Sequence, residues 1–484
     1  MRILLLSPGT GQSLEYQPSL GLAYILAYLK ANGCPDTHFA DHDLVGMRGI
    51  RKALKRLRPD VVGINCVTHS RHLSLEMARL AKDLLPAAVT VLGGIHATFL
   101  DRQILEHYPQ VDVIVRGEGE QTMLELVRAI EAGRPHRAAP TWSPQPGRGD
   151  LGAIQGLSFR RDGQVVQTLP RAKWASLDEL PFPEYIESYS PSECGGRKAA
   201  SVITSRGCRG ACNYCSVPKY WGKPRFRSAA NVVDEVQWLV REHGVGYIRF
   251  MDDTFSIDMD RAAAICQDIL GRGLDIQWRC ATRADCVSRD LLDLMKRSGC
   301  IRVAYGIESG SPRMLETIHK QVTVEQVDQA CRWTKELGLV LRTCFMVGNI
   351  GETRESIEET KALIRRIKPD EYSVSAALHL FPETTVYRYA EQRGFVDESV
   401  WLTGEPVREY TLEHPLSRLT DWQMEIMREC GLSHGAWHYL KHVLAVAVRV
   451  PPRVLLRSGY HFLGVNAASL LRRLRGSHCG GIRL

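Results

Sequence analysis

Apolar and polar positions along residues 1–131 follow two alternating periods. Short apolar runs predict four strands, at residues 2–7, 61–66, 89–93 and 111–116. Between these runs apolar residues recur at helical spacing, at residues 20–31, 73–85 and 121–131. Strands that alternate with helices in this way predict a doubly wound parallel sheet, whose ligand lies at the carboxyl ends of the strands.

The same alternation returns over residues 200–394. Apolar runs there predict six strands, at residues 200–204, 247–251, 276–280, 302–307, 341–347 and 372–376. Helical spacing lies between the runs, for example at residues 230–242, 261–272 and 289–297. These β/α units predict a second parallel α/β domain, again with its functional residues at the carboxyl ends of the strands.

Two segments interrupt this pattern. Residues 132–199 are rich in proline and glycine and predict a linker, with a hairpin whose strands are residues 157–160 and 165–168. Residues 395–484 show helical spacing at 422–430 and 434–446 and end in an arginine-rich apolar stretch. The predicted organisation is therefore a doubly wound domain, a linker, a second α/β domain and a helical C-terminal region, with bounds 1–131, 132–199, 200–394 and 395–484.

Composition narrows the class of protein. The chain has 484 residues, 44% hydrophobic and 24% charged, as in a globular protein of two or three domains. Fourteen cysteines without a paired framework favour a reducing cytoplasm, and the N-terminus resembles a first strand more than a signal peptide. A net charge of +8 does not by itself indicate nucleic acid. The basic C-terminus either contacts an anionic membrane surface, which would make the protein peripheral, or packs on the barrel with its arginines in solvent.

Candidate chemistry is concentrated on one loop. Cys208, Cys212 and Cys215 stand at C-x3-C-x2-C spacing directly after the strand-like run at residues 200–204. Thiolates are soft ligands that select iron–sulfur clusters, zinc or Cu(I). A structural zinc site usually has two separated ligand pairs, so a zinc site here would need His243 or a distant cysteine as its fourth ligand. Three ligands on one short loop leave a coordination position open to an exogenous ligand.

This loop, with Tyr214 before the third cysteine, resembles the signature of the radical S-adenosylmethionine (SAM) superfamily. The resemblance implies a partial (β/α)6 barrel and a [4Fe–4S] cluster on the three cysteines, whose unique iron binds SAM and splits it to a 5′-deoxyadenosyl radical. The segments after the second to fifth strands resemble the family's SAM-site segments, although Ile350 replaces a usual proline. Residues 381–387 resemble a turn that closes the barrel in relatives, with Glu383 where a glycine is usual. The implied SAM contacts are Tyr214, Asp252, Asp253, Arg283, Glu308, Ser309 and Gly348.

The first domain resembles the cobalamin-binding domain that precedes many radical SAM barrels, through residues 18–24, 91–97 and 115–120. The implied cobalamin contacts are Thr10, Thr68, His69, Gly93, Gly94, His96, Gly117 and Glu118. The D-x-H-x-x-G pattern that supplies an axial histidine in other cobalamin proteins corresponds here to residues 41–46, with Asp43 at the ligand position. The resemblance therefore implies a cobalt without a histidine ligand. The alternative is a domain that has lost cobalamin and serves as a scaffold.

Together these resemblances imply a cobalamin-dependent radical SAM methyltransferase. Its substrate would be an unactivated carbon of a lipid or secondary-metabolite precursor, and its electron donor a flavodoxin-like or ferredoxin-like protein. The alternative is a radical SAM dehydratase, as in aminoglycoside biosynthesis, or a cyclase or rearrangement enzyme with a cobalamin-free N-terminal domain. An RNA methylthiotransferase is disfavoured because no β-rich RNA-binding module follows the barrel. A non-enzymatic sensor would not need the SAM-site segments.

Overall fold

The computed structural model describes residues 1–9, 16–133, 150–187 and 196–431. The first domain is a seven-stranded sheet in the order β2-β1-β3-β4-β5-β6-β7. Its strands are β1 Ile3–Ser7, β2 Thr37–Asp41, β3 Val61–Asn65, β4 Val89–Gly93, β5 Val113–Val115, β6 Leu157–Arg161 and β7 Gln164–Gln167. The first five strands are parallel, and the hairpin β6-β7 extends the sheet in antiparallel fashion. The predicted hairpin therefore belongs to the first sheet.

Helices cover both faces of this sheet. They are α1 Leu20–Ala31, α2 His42–Leu57, α3 Arg71–Leu84, α4 Ile95–Phe99, α5 Asp101–His107 and α6 Glu120–Gly133. Helices α1 and α6 pack on one face, and α2 and α3 on the other. The chain reverses direction across the sheet between β1 and β3, which opens a crevice at their carboxyl ends. The sequence analysis missed β2 and α2 because only Ile50 and Leu54 of α2 are buried, which leaves a weak apolar stripe.

The second domain is a six-stranded parallel sheet in the order β15-β14-β13-β12-β11-β8, curved as a partial barrel. Its strands are β8 Lys198–Val202, β11 Val245–Phe250, β12 Gln277–Thr282, β13 Cys300–Glu308, β14 Val340–Met346 and β15 Glu371–Ser375, while β9 Ser205–Arg206 pairs with β10 Arg225–Phe226. The helices are α7 Val217–Trp221, α8 Ala229–His243, α9 Met259–Gly271, α10 Arg289–Arg297, α11 Pro312–Thr317, α12 Val324–Glu336 and α13 Arg354–Ile367. The predicted fold class is confirmed for both domains.

The segment after β15 joins the two domains. It contains α14 Thr385–Gln392 and α15 Leu416–Glu429. Leu380, Tyr387 and Trp401 from this segment share one apolar core with the α2–α3 face of the first domain. Arg71, only 1% exposed, donates hydrogen bonds to the carbonyl oxygens of Val400 and Glu405. The first sheet is therefore covered on this face by residues from the end of the described chain.

Helix α15 packs on α13 at the far side of the barrel. Lys361 on α13 forms ion pairs with Glu425 at 2.6 Å and with Glu429 at 3.0 Å on α15. The helix expected at residues 434–446 and the arginine-rich end lie outside the described residues. Within the described ranges, none of the helices combines the length and the apolar content that a membrane crossing requires.

Candidate functional site

The cysteine loop leaves the barrel directly after β8, and Asp252 holds its beginning. The Asp252 carboxylate accepts hydrogen bonds from the Thr204 backbone and hydroxyl, both at 3.0 Å, and from the Ser205 hydroxyl at 2.5 Å. Gly207 then turns the chain with a φ of +103°, a left-handed conformation that favours glycine. Asp252, predicted to contact SAM, is therefore buried as a support for the loop.

Two of the three cysteines, Cys208 and Cys212, lie beside Gly210. A Cβ atom at Gly210 would lie 3.4 Å from the Cys208 sulfur and 3.8 Å from the Cys212 sulfur. Burial raises the pKa of the Cys212 thiol and raises that of Cys215 to about 11, so a positively charged occupant is needed to hold them as thiolates. The donor set, three soft sulfurs on one loop, fits a [4Fe–4S] cluster with one iron left open.

Four charged or phenolic side chains surround the inner side of this loop. Burial and the nearby Glu308 carboxylate raise the pKa of Tyr214, and Glu308 accepts a hydrogen bond from the Lys320 ammonium at 2.9 Å. Glu308 adopts a φ of +75°, which is rare for a residue with a side chain and is frequent at ligand sites. Arg283 donates to the Lys320 carbonyl at 2.6 Å, and its guanidinium lies 3.2 Å from where a Gly210 Cβ would stand. Tyr214, Glu308 and Arg283 thus meet beside the cysteines.

The remaining predicted SAM residues differ in their surroundings. Asp253 lies at the barrel mouth. Partial desolvation of its carboxylate, together with the neighbouring Asp252 carboxylate, raises its pKa to about 6. Ser309 is buried, with its hydroxyl 3.2 Å from that of Thr360 on α13. Gly348 lies under α15, where an added Cβ would come within 2.7 Å of Leu419. Ser309 and Gly348 therefore contact the barrel's own helices. The sequence analysis missed Lys320, which no motif marks.

A cavity lies at the carboxyl ends of β1, β3, β4 and β5. Its open space is about 860 Å³, including the solvent at its mouth. The first domain lines it with apolar side chains and with Gly93, Gly94, Gly117 and Glu118. A Cβ at Gly94 would come within 2.6 Å of Asn65, so the backbone itself forms this part of the wall. An apolar cleft with a glycine floor fits a large flat cofactor and its tail, such as cobalamin.

The barrel completes this cleft. Ile203, Arg206, Tyr220 and Trp221 line it from the second domain. The Tyr220 hydroxyl donates to the Gly117 carbonyl at 2.8 Å. Arg206 directly precedes the cysteine loop, so the cleft and the loop share a wall.

A buried ion network crosses the domain boundary at this wall. Arg206 forms ion pairs with Glu118 at 2.5 Å and with Glu120 at 2.6 Å, and Arg225 pairs with Glu118 at 2.8 Å. The Arg206 guanidinium also lies over the Trp221 ring. The sequence analysis predicted Glu118 as a cobalamin contact and missed Arg206. Although Arg206 stands beside the cysteine motif, no local pattern indicates a partner 88 residues away.

Other predicted cobalamin residues lie away from the cleft. His96 is only 1% exposed, its Nδ1 lies 3.2 Å from the Thr68 hydroxyl, and its ring packs against Trp401. His69 is exposed, and its Nε2 lies 2.9 Å from Nδ1 of His379, which follows β15. Thr10 lies outside the described residues. Thr68 and His96 therefore belong to the interdomain core, and His69 joins the two domains.

Asp43 stands at the position of the axial histidine in other cobalamin proteins. Asp41 ends β2 and accepts a hydrogen bond from the Asp43 backbone at 2.8 Å, which begins α2. The Asp43 carboxylate lies against the loop after β1, where a Cβ at Gly9 would overlap it at 2.2 Å. A carboxylate, and not an imidazole, therefore occupies this position.

His96 makes the stability of the protein acid-sensitive. Burial, with a smaller contribution from Arg71, lowers the pKa of His96 to about 3 from its usual 6.5. Below pH 6.5 the unfolded chain therefore binds a proton that the folded chain does not, and the free energy of unfolding falls as the pH falls toward 3. We expect a loss of about 1.4 kcal/mol per pH unit in this window. Urea denaturation as a function of pH should show this slope.

The matched variants isolate the effect. His96→Leu should reduce the slope between pH 6.5 and 4.5, whereas His107→Gln, on an exposed residue, should leave it unchanged. An unchanged slope in His96→Leu would show that this imidazole titrates normally in the folded protein.

Comparison with known proteins identifies a family for each of the two domains. The model of the radical SAM superfamily matches residues 202–364, and the model of the B12 binding domain matches residues 9–127. An uncharacterized methyltransferase of Pyrococcus horikoshii is 32% identical over 88% of this chain and 89% of its own length. The anaerobic magnesium-protoporphyrin IX monomethyl ester cyclase of Rubrivivax gelatinosus is 34% identical over 76% of this chain, and the match spans 66% of the cyclase.

The fold also matches a solved structure. The radical SAM methyltransferase TsrM of Kitasatospora setae, solved with cobalamin and a [4Fe–4S] cluster, superposes with a TM-score of 0.66 at 19% identity. The match covers 88% of this chain and 82% of that one. The chain therefore belongs to the radical SAM superfamily, in the branch with an N-terminal B12-binding domain, and is a radical SAM enzyme whose cofactors are a [4Fe–4S] cluster, SAM and cobalamin.

Proposed function

We propose that the enzyme methylates an unactivated carbon of a small molecule. The observation that carries this proposal is the wall shared by the cleft and the cysteine loop, because Arg206 lines the cleft and stands two residues before Cys208. When bound, the cluster and SAM supply a carbon-centred radical and cobalamin supplies a methyl group. A substrate held between the cleft and the cysteine loop would face both the cobalamin and the SAM.

The roles of the chain's own residues follow from their positions. Cys208, Cys212 and Cys215 hold the cluster. Tyr214, Asp253, Arg283 and Glu308 surround SAM, and the Lys320 ammonium holds the Glu308 carboxylate in place. We propose residues 1–131 as the cobalamin-binding domain and residues 200–394 as the barrel that holds SAM. The interface between them, with its buried ion network, excludes water from the reacting groups.

A ring-closing reaction is the second candidate. The 34% identity to a magnesium-protoporphyrin cyclase favours it, since that enzyme closes a ring in its own substrate. A cyclase would need the same radical but would produce no methylated product.

The experiment that separates the two is anaerobic purification with hydroxocobalamin supplied, followed by turnover with candidate substrates. Methyl transfer predicts one corrinoid and one [4Fe–4S] cluster per chain, with S-adenosylhomocysteine formed beside 5′-deoxyadenosine. A cluster without corrinoid would contradict methyl transfer and favour dehydration or rearrangement. 5′-Deoxyadenosine without S-adenosylhomocysteine, in a corrinoid-loaded enzyme, would favour cyclisation.

The glycine floor of the cleft gives a further test. A Cβ at Gly93 would have no neighbour closer than 3.6 Å, so a side chain can be added there and would extend into the cleft. We expect Gly93→Leu to weaken cobalamin binding by about tenfold or more, since even a small overlap with a packed ligand costs about 1–3 kcal/mol. Corrinoid absorbance after gel filtration measures the retained cofactor.

The control for this variant is Gly271→Leu, at the exposed end of α9, where an added Cβ meets nothing within 4 Å. It should retain cobalamin, and both variants should keep the iron and sulfide of the cluster. Full corrinoid retention in Gly93→Leu would mean that the cofactor does not reach this wall.

The substrate class is proposed as a lipid or secondary-metabolite precursor. The electron donor is proposed as a flavodoxin-like or ferredoxin-like protein, and the location as the cytoplasm. The scattered cysteines support a reducing compartment.

A further inference from the structure

The inner face of the barrel carries a row of arginines. Ile248, Trp278, Val303 and Leu341 point outward, where they pack in the core under the helices. Side chains alternate between the faces of a strand, so their neighbours face inward. The inward-facing neighbours include Arg249 near the end of β11, and Arg279, Arg302 and Arg342 at the third position of β12, β13 and β14.

Strand register places these arginines close to one level. Arg249 pairs in register with Arg279, and Arg279 with Arg302. Arg342 pairs with Ala304, two residues further along β13, and therefore lies one layer closer to the mouth. Neighbouring strands are about 4.8 Å apart, so the four arginines form a row across four adjacent strands on the inner face of the sheet.

The interior above this row is open. Ala281 is exposed although its strand, β12, lies in the middle of the sheet, and Ser373 on β15 is exposed as well. Ala304 and Gly306 on β13 are also small, so no bulky side chain of this strand fills the space up to Glu308 at the rim. The small or exposed side chains of Ala281, Ala304 and Ser373 therefore leave space on the inner face of the sheet between the rim and the arginines.

Arg342 differs from the other three. Arg302 donates a hydrogen bond to the Glu371 carboxylate at 2.9 Å, and the Arg249 guanidinium lies 5.9 Å from the centre of the Tyr247 ring. Arg279 also has an interaction partner. Arg342 is half-buried, and within the described part of the chain its side chain makes no hydrogen bond or ion pair. A half-buried guanidinium that lines this space is a ready site for an anion, to which it can donate two parallel hydrogen bonds.

We propose that the barrel interior binds an anionic oxygen group of the substrate, a carboxylate or a phosphoryl group, through Arg342. This inference rests on the proposed function, since it places the substrate in the same barrel that holds SAM. Arg342 lies four residues before Met346, at the end of β14, which corresponds to about 13 Å along the strand. The anion therefore anchors one end of the substrate and leaves its other end at the rim, beside Tyr214 and Glu308.

The test uses the full chain loaded with cluster and cobalamin, without SAM, and the probes inorganic phosphate and acetate. Line broadening of the ³¹P and acetate ¹H signals measures binding. We expect saturable binding of at least one probe to the wild type, weakened about tenfold or more in Arg342→Met. Stronger binding of phosphate would indicate a phosphoryl substrate, and stronger binding of acetate a carboxylate.

Two further variants show whether weaker anion binding in Arg342→Met comes from the lost arginine and not from misfolding of that one mutant. Ala281→Leu fills the space on the inner face without removing a charge and should also weaken binding, whereas Arg297→Met, at a 62% exposed side chain on the outer surface, should not. No saturable binding to the wild type, or equal binding to wild type, Arg342→Met and Ala281→Leu, would overturn the inference. Binding needs no turnover, so an enzyme that binds the anion but makes no methylated product would contradict only the proposed function.

Discussion

Cys212→Ala is expected to abolish cluster assembly and SAM cleavage. Cys212 is the middle ligand of the loop, and its sulfur lies beside that of Cys208 near Gly210. Two thiolates cannot hold a cubane that already has one open iron, so the bound iron should fall from about four atoms per chain to below about one. Iron and sulfide analysis of anaerobically reconstituted protein measures this loss. The visible absorbance of the iron–sulfur cluster should fall with it.

The matched control is Cys34→Ser, a half-buried cysteine of the first domain far from the loop. It should retain the full cluster and full formation of 5′-deoxyadenosine. A cluster that survives in Cys212→Ala, or is lost in Cys34→Ser, would contradict the assignment of the three ligands.

The second large effect is expected at the interdomain ion network. Arg206→Met leaves the Glu118 and Glu120 carboxylates buried without their main counter-charge. Removing one partner of a buried ion pair costs about 3–5 kcal/mol of unfolding free energy. Urea denaturation followed by tryptophan fluorescence measures the change, since Trp221 lies beside Arg206. The same variant should lose cobalamin more readily, because Arg206 lines the cleft.

Two comparisons test the cause. Arg206→Met combined with Glu118→Gln and Glu120→Gln should recover part of the loss, because no uncompensated charge remains. Arg272→Met removes a surface arginine that pairs with Asp268 and Asp234, and should cost about 1 kcal/mol or less. Equal losses in Arg206→Met and Arg272→Met would mean that the network is hydrated like a surface pair.

The network also has a pH dependence of known sign. Burial opposes ionisation of Glu118, but Arg206 and Arg225 outweigh it and hold its pKa below the usual 4.5. The stabilisation from this carboxylate is therefore present above pH 4.5 and is lost as the pH falls through the lowered pKa. Wild type should lose this part of its stability only in acid, and Arg206→Met should show a weaker dependence there.

Sequence reasoning predicted both sheets and the cysteine loop because their signals are local. Strand β4, for example, is a mostly apolar run that is buried on both faces, and it ends at Gly93 as predicted. The three cysteines stand within eight residues. Tyr214, Arg283 and Glu308 were predicted from family segments far apart in the sequence, and the fold places all three near Cys212.

Other features depend on distant contacts that no local pattern records. His96 lies in a glycine-rich loop typical of a ligand contact, yet Trp401, more than 300 residues later, covers its ring. The arginines inside the barrel occupy ordinary alternating positions on β11 to β14, and only strand register aligns them. Hairpin β6-β7 was predicted, but its place at the edge of the first sheet depends on its pairing with β5.

The core shared by the first domain and the segment after β15 also constrains how the protein folds. During synthesis the first sheet leaves the ribosome with its α2–α3 face uncovered, because Leu380, Tyr387 and Trp401 are made much later. The carbonyl groups to which Arg71 donates lie 329 and 334 residues downstream and are synthesised much later. Closing loops of this length is slow, so an apolar face and a buried guanidinium stay exposed while the barrel is made. Chains truncated before residue 378 should therefore aggregate through this face and depend on chaperones.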